Sequence, residues 1–164
     1  MGSDTSPHRF RGIARRVRTR GASGIEPRGT PSSDVRLSLP ARPENVAVIR
    51  HVLGAFAEAL RLPPEVVEDM RLAVTEACTN VVRHAYHDGE TGSIDVVIRP
   101  NGDRLDLVVA DRGRGIGPSP DADGPGLGLP LIASLADSLE IQRGTTRGSR
   151  LAMSFRCEPQ AAGA

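Results

Sequence analysis

Three polar residues recur at four-residue intervals in the stretch R-L-A-V-T-E-A-C-T-N-V-V-R-H-A-Y, Arg71 to Tyr86: they are Glu76, Asn80 and His84. On a helix, every fourth residue returns to nearly the same side, so a carboxylate, an amide and an imidazole share one stripe. Such a set can hold a metal ion and move a proton. A solvated helix face is the plainer reading of the triplet taken alone. What weighs against it lies further along the chain.

The second candidate group is D-R-G-R-G-I-G, Asp111 to Gly117, which follows directly on an alternating strand pattern. Gly113, Gly115 and Gly117 would let the backbone approach a ligand closely or take positive φ. They are not the dinucleotide fingerprint, because no helical pattern follows Gly117. Asp111 closes the strand, where a buried carboxylate is costly unless it meets donors. The exocyclic amine of a base would be one. A third group is G-L-G-L-P-L-I, Gly126 to Ile132. Here Gly126 and Gly128 open a helix, and the free N–H groups of a helix start suit phosphate.

The elements that must position these groups read as follows. Val35, Leu37 and Leu39 alternate with polar residues, the pattern of a half-buried strand ended by Pro40. From Glu44 to Leu60 the apolar residues keep helical spacing, and Leu62-Pro63-Pro64 breaks that helix. The central helix runs from Pro64 or Glu65 to about Tyr86. Ile94, Val96 and Ile98, then Leu105, Leu107 and Val109, form two strands joined by a hairpin turn with Asn101-Gly102 at its centre. After the glycine-rich loops and the short third helix, Leu139 to Arg143 and Arg150 to Phe155 make a closing hairpin. The order β-α-α-β-β-loop-α-β-β implies mostly antiparallel pairing rather than a doubly wound sheet. The expected fold is a two-layer α/β sandwich: a mixed, mostly antiparallel sheet with three helices on one face.

Composition bounds the function. The chain has 164 residues, which suits one domain, with 38% hydrophobic and 25% charged residues and a formal net charge of +1. No apolar run approaches the ~20 residues of a membrane span. The basic beginning of the chain has no apolar core of a secretory signal. A cytoplasmic location without membrane contact is therefore expected. All 21 cationic residues are arginine, so a P-loop kinase, which needs its lysine, is excluded. With no Trp, one Tyr and three Phe, stacking platforms for single-stranded nucleic acid are not expected. Cys78 and Cys157 have no metal-ligand spacing, and Cys78 reads as a small buried hydrophobe. Residues 1–33, rich in Gly, Ser, Pro and Arg, read as a disordered basic tail, 34–157 as the folded domain, and 158–164 as a frayed end.

Taken together, E-A-C-T-N-V-V-R-H-A-Y, D-R-G-R-G-I-G and G-L-G-L resemble the motifs of the Bergerat-type ATP-binding fold shared by gyrase, the large heat-shock chaperone, histidine kinases and MutL. Within that superfamily, the spelling E-x-x-T-N-x-x-x-H-A-Y is similar to the anti-sigma factor serine kinases of the sporulation and general-stress-response type. The resemblance covers about Val35 to Phe155. It implies ATP and Mg²⁺ as cofactors, with Asn80 holding the metal at the phosphates and Glu76 as general base toward a substrate serine. It implies that Asp111 accepts from the adenine amine and that Gly113, Gly115, Ile116 and Gly117 shape the adenine and ribose side. Gly126, Leu127 and Gly128 would wrap the phosphates beneath a lid, with Arg83 and His84 alongside. For His84 a structural role closing the helix is the rival reading. Ser149, in Gly148-Ser149, matches the late Gly-Thr of the family; Gly144-Thr145-Thr146 competes for that assignment.

One departure bears on activity. Kinases of this kind often carry a basic residue just before the paired glycines, where this chain has Gly124 and Pro125. Arg83, Arg112 or Arg114 would have to substitute. Two functions follow from the resemblance. One is an ATP-dependent serine kinase that phosphorylates an anti-sigma-factor antagonist, a STAS-domain protein, and otherwise sequesters a sigma factor; homodimerisation stays open. The other is a regulatory interaction module without phosphoryl transfer.

Overall fold

The computed structural model describes residues 17–18, 34–114, 128–144 and 147–157. Among the described residues the sheet has six strands in the order β1-β5-β6-β4-β3-β2. They are β1 (Val17–Arg18), β2 (Val35–Pro40), β3 (Ser93–Asn101), β4 (Arg104–Asp111), β5 (Ser138–Arg143) and β6 (Ser149–Arg156). Every pairing from β2 to β5 is antiparallel, and the two-residue β1 adds a parallel pairing at the β5 edge. This is the mixed, mostly antiparallel sheet of the sequence expectation. Apart from Val17 and Arg18, the stretches read as tails lie outside the described residues.

Among the described residues three helices complete the sandwich: α1 (Pro43–Ala59), α2 (Pro64–His84) and α3 (Gly128–Leu135). Both long helices begin with proline in the first turn, where the missing N–H costs nothing and φ is already set. α1 ends in a paired-bond C-terminal motif. The amide of Leu62 donates to the Ala57 carbonyl and that of Arg61 to the Glu58 carbonyl, with Arg61 at φ 54°. Glycine usually takes that left-handed position, so Arg61 holds it at some conformational cost.

Alternation along the strands decides what is buried. Ile94, Val96 and Ile98 of β3, Leu105, Leu107 and Val109 of β4, and Leu151, Met153 and Phe155 of β6 point to the helical layer and are almost fully buried. α2 answers them with Met70, Ala73, Val74, Ala77, Cys78 and Val81, and α1 adds Ile49 and Leu53. α2 is the helix that lies across the centre of the sheet. Its apolar side is thereby committed to the core, which leaves its polar stripe facing elsewhere.

Two local expectations need correction. The β3–β4 hairpin turns on Gly102-Asp103, not on Asn101-Gly102: Asn101 pairs with Arg104 as the last rung of the ladder. Gly102 takes φ 63° and Asp103 does not join it at positive φ, which is the type II′ arrangement with glycine first. The central helix stops at His84 rather than Tyr86. The carbonyl of Ala85, which would otherwise be a spare helix-end acceptor, takes the amide of Arg114 at 2.8 Å.

Candidate functional site

α2 carries Glu76 and Asn80 one turn apart in half-buried positions. Opposite them stands the first residue of α3. A methyl group on Gly128 would sit 3.2 Å from Asn80 Nδ2 and 3.4 Å from Glu76 Oε2. The lack of a side chain at Gly128 therefore leaves a notch over this carboxylate and amide, at a helix start. Oxygen donors of this kind suit a hard divalent cation rather than a soft one. Among the described residues there is no cluster of three or more His, Cys, Asp or Glu able to hold a metal by themselves. A cation here would have to share its ligands with a bound anion and water.

The second centre is at the end of β4. Asp111 is only 6% exposed, and both of its carboxylate oxygens are engaged. Oδ1 accepts the Gly113 amide at 2.8 Å, and Oδ2 accepts the hydroxyl of Ser149, its cross-strand partner on β6. Those donors are what make a buried carboxylate tolerable. Each oxygen has a second lone pair, so the group can still accept from a ligand amine.

Gly113 is buried between two elements. A methyl group there would lie 1.9 Å from the Ala85 carbonyl oxygen, so only glycine fits. Its own carbonyl accepts the Gly148 amide at 2.7 Å, and Gly148 takes φ 82° to present it. The corner is thus braced by the end of α2 on one side and by the start of β6 on the other.

The remaining candidates are distributed as follows. Ser149 belongs to the Asp111 corner. Its rivals Thr145 and Thr146 lie outside the described residues, as do Gly115, Ile116, Gly117, Gly126 and Leu127. His84 is exposed at the end of α2, and its carbonyl accepts the Arg114 guanidinium at 3.2 Å. Arg83 is exposed and lines a cleft of about 350 Å³ beside α1, with Pro43, Val46 and Arg50. Arg112 lies 3.6 Å from the Asp95 carboxylate. Two of the arginines named as substitutes for a lid cation, Arg112 and Arg114, are thus found against other neighbours. Cys78 faces the core, where burial pushes its thiol up to about 12, which leaves it protonated and unreactive.

Tyr86 contributes to the site although the motif alone gives it no role. The Tyr86 hydroxyl donates to the Ser93 carbonyl at 2.8 Å and accepts the amides of Ser93 and Arg112, each at 3.1 Å. The signal available in the sequence was that this is the single tyrosine of the chain, two residues after His84.

The histidine kinase-like ATPase domain family matches this chain over residues 39–155, a span that includes α2, Asp111, Gly113, Gly128 and Ser149. The chain belongs to that family. Among its curated relatives is the serine-protein kinase RsbW of Bacillus pumilus (strain SAFR-032), 43% identical over 81 residues, which are 48% of this chain and 50% of the relative. The serine-protein kinase RsbW of Bacillus subtilis (strain 168) is 38% identical over 79 residues, 48% of this chain and 49% of that protein. The chain thus spans about half the length of the curated relatives it matches. Among solved structures, the RsbU and RsbW domains of Rv1364c from Mycobacterium tuberculosis align with a TM-score of 0.63 at 22% identity. That alignment covers 79% of this chain and 34% of the other, and it agrees with the sandwich described above. Among the described residues no helix is long and apolar enough to cross a membrane.

Proposed function

We propose that this histidine kinase-like domain binds ATP with Mg²⁺ and transfers its terminal phosphoryl group to a serine of an anti-sigma-factor antagonist. When that antagonist is not available, the domain sequesters a sigma factor. The observation that carries the reading is the meeting of Glu76 and Asn80 with the side-chain-free Gly128 at a helix start, with the Asp111 corner completing the same family span. The curated relatives named serine-protein kinase support the choice of reaction.

In this reading Asp111 accepts from the adenine 6-amine, and the Gly113 backbone lets the base approach. Asn80 would hold Mg²⁺, which when bound would supply positive charge to offset that of the phosphates. Glu76 takes the proton of the serine hydroxyl as its oxygen attacks the γ-phosphorus. The bond from that phosphorus to the β–γ bridging oxygen breaks, and ADP leaves. Phosphoryl transfer of this kind depends on positioning and charge neutralisation more than on covalent chemistry. A cytoplasmic setting, with a STAS-domain antagonist and a sigma factor as partners, belongs to the same proposal.

The test is to incubate the protein with labelled ATP, Mg²⁺ and candidate antagonist proteins. Label on an antagonist serine is expected. ATP binding without transfer to any candidate would overturn the kinase reading. It would favour a second one, a nucleotide-binding regulator that works by contact alone. The observation on that side is that Arg112 pairs with Asp95 and Arg114 with the His84 carbonyl.

A further inference from the structure

We propose that Tyr86 is a positioning residue for the base-binding corner: its hydroxyl fixes the backbone between Asp111 and Gly113, without itself touching the nucleotide. The inference rests on the nucleotide reading above and deepens it.

A phenol hydroxyl has one proton and two lone pairs. Tyr86 uses all three. The proton goes to the Ser93 carbonyl at 2.8 Å, and the lone pairs take the amides of Ser93 and Arg112, both at 3.1 Å. Ser93 begins β3, and Arg112 follows the last residue of β4. One hydroxyl therefore joins the start of one strand, the end of another and the exit of α2. The Arg112 peptide is the link between the carboxylate of Asp111 and the buried backbone of Gly113. Holding it sets the direction in which Asp111 presents its oxygens.

Two further features point the same way. A methyl group on Gly92 would lie 2.0 Å from the Tyr86 ring, so the ring occupies the space that any larger residue would need. Gly92 is not at positive φ, so the ring and not the backbone calls for glycine there. On the far flank of Gly113, the Arg114 amide bonds the Ala85 carbonyl at 2.8 Å. Ala85 and Tyr86 thus hold the residues on either side of Gly113. Phenylalanine would fill the same space and leave the Arg112 amide without this partner, while the Asp111 bonds to Gly113 and Ser149 would remain.

The experiment uses the full chain with Tyr86→Phe and, separately, Gly92→Ala, which keeps the hydroxyl and displaces the ring. Calorimetry with MgATP and with MgGTP at 25 °C should show ATP affinity falling roughly two- to tenfold in both variants, the range expected for a lost neutral hydrogen bond. GTP affinity should hardly change, so the preference for adenine narrows. In nucleotide-free protein, amide exchange at Ser93 and Arg112 should accelerate. A purely structural tyrosine would lower Tm while leaving affinity and base preference at their wild-type values, and that result overturns the inference. If Tyr86→Phe fails to fold, wild-type base preference in Gly92→Ala overturns it equally. Loss of preference in Asp111→Asn but not in either of these variants would remove Tyr86 from the corner and leave the nucleotide reading standing. Wild-type protein that binds no adenine nucleotide would overturn both.

Discussion

The two ends of the proposed nucleotide site are built in opposite ways. At the Asp111 end the carboxylate and the amides beside it are tied to other parts of the protein. The carboxylate holds Gly113 and Ser149, Gly113 holds Gly148, and Arg114 holds Ala85. At the Glu76–Asn80 end the side chains are half-buried on one helix and face a notch over Gly128. The difference follows from what each end would bind. A neutral base brings no charge, so its recognition requires donors and acceptors fixed in advance. Polyphosphate arrives with its own charge and metal, and the protein needs only a few oxygen ligands and helix-end amides to receive it. Selectivity is therefore expected to lie at the braced end, and turnover at the open one.

That division can be broken at its strongest point first. Glu76→Gln keeps size and one oxygen but cannot take a proton. We expect phosphoryl transfer to an antagonist serine to fall by about 10²–10⁴, with ATP affinity near wild type by calorimetry. Transfer at an undiminished rate would move the base elsewhere. Next in size is Asn80→Ala, expected to weaken MgATP binding roughly ten- to hundredfold, as for loss of a contact to a charged group. Its affinity for ATP in EDTA should hardly differ from that of the wild type. An equal loss with and without Mg²⁺ would detach Asn80 from the metal.

Asp111→Asn should act on the other end. Roughly tenfold weaker ATP binding and a reduced preference over GTP are expected, because guanine offers a carbonyl where adenine offers an amine and a carboxylate repels it. A variant that keeps both affinity and preference would make Asp111 a strand-end brace and nothing more. The smallest effect sharpens the comparison. Gly128→Ala places a methyl group 3.2 Å from Asn80 Nδ2 in a helix whose backbone suits alanine. MgATP affinity should drop less than tenfold, while stability holds or rises by the ~0.4–1 kcal/mol that such a change gives at a compatible site, read as an unchanged or higher Tm. If affinity and Tm fell together, the notch would be a packing requirement rather than a ligand space.

Much of this was legible from residue types and spacing alone. Alternation in Ile94–Ile98, Leu105–Val109 and Leu151–Phe155 determined the strands and their buried faces, because side-chain direction on a strand has a period of two. The four-residue spacing of Glu76, Asn80 and His84 determined the polar stripe in the same local way. The turn at Gly102-Asp103 was missed by one residue, since strand register fixes which pair turns the chain, and register depends on the partner strand. The same holds for the end of α2. Nothing in Ala85-Tyr86 says stop; the helix ends where the Ala85 carbonyl finds Arg114 and the Tyr86 hydroxyl finds Ser93 and Arg112, the arginines 29 and 26 residues farther along being brought there only by the sheet. That Ser149 meets Asp111 was decided by the β4–β6 register, which sets the two opposite each other. Sequence determines what each residue can offer and which side of its own element it faces. Which groups meet across 38 residues of chain is decided by tertiary packing, because those contacts belong to no single element.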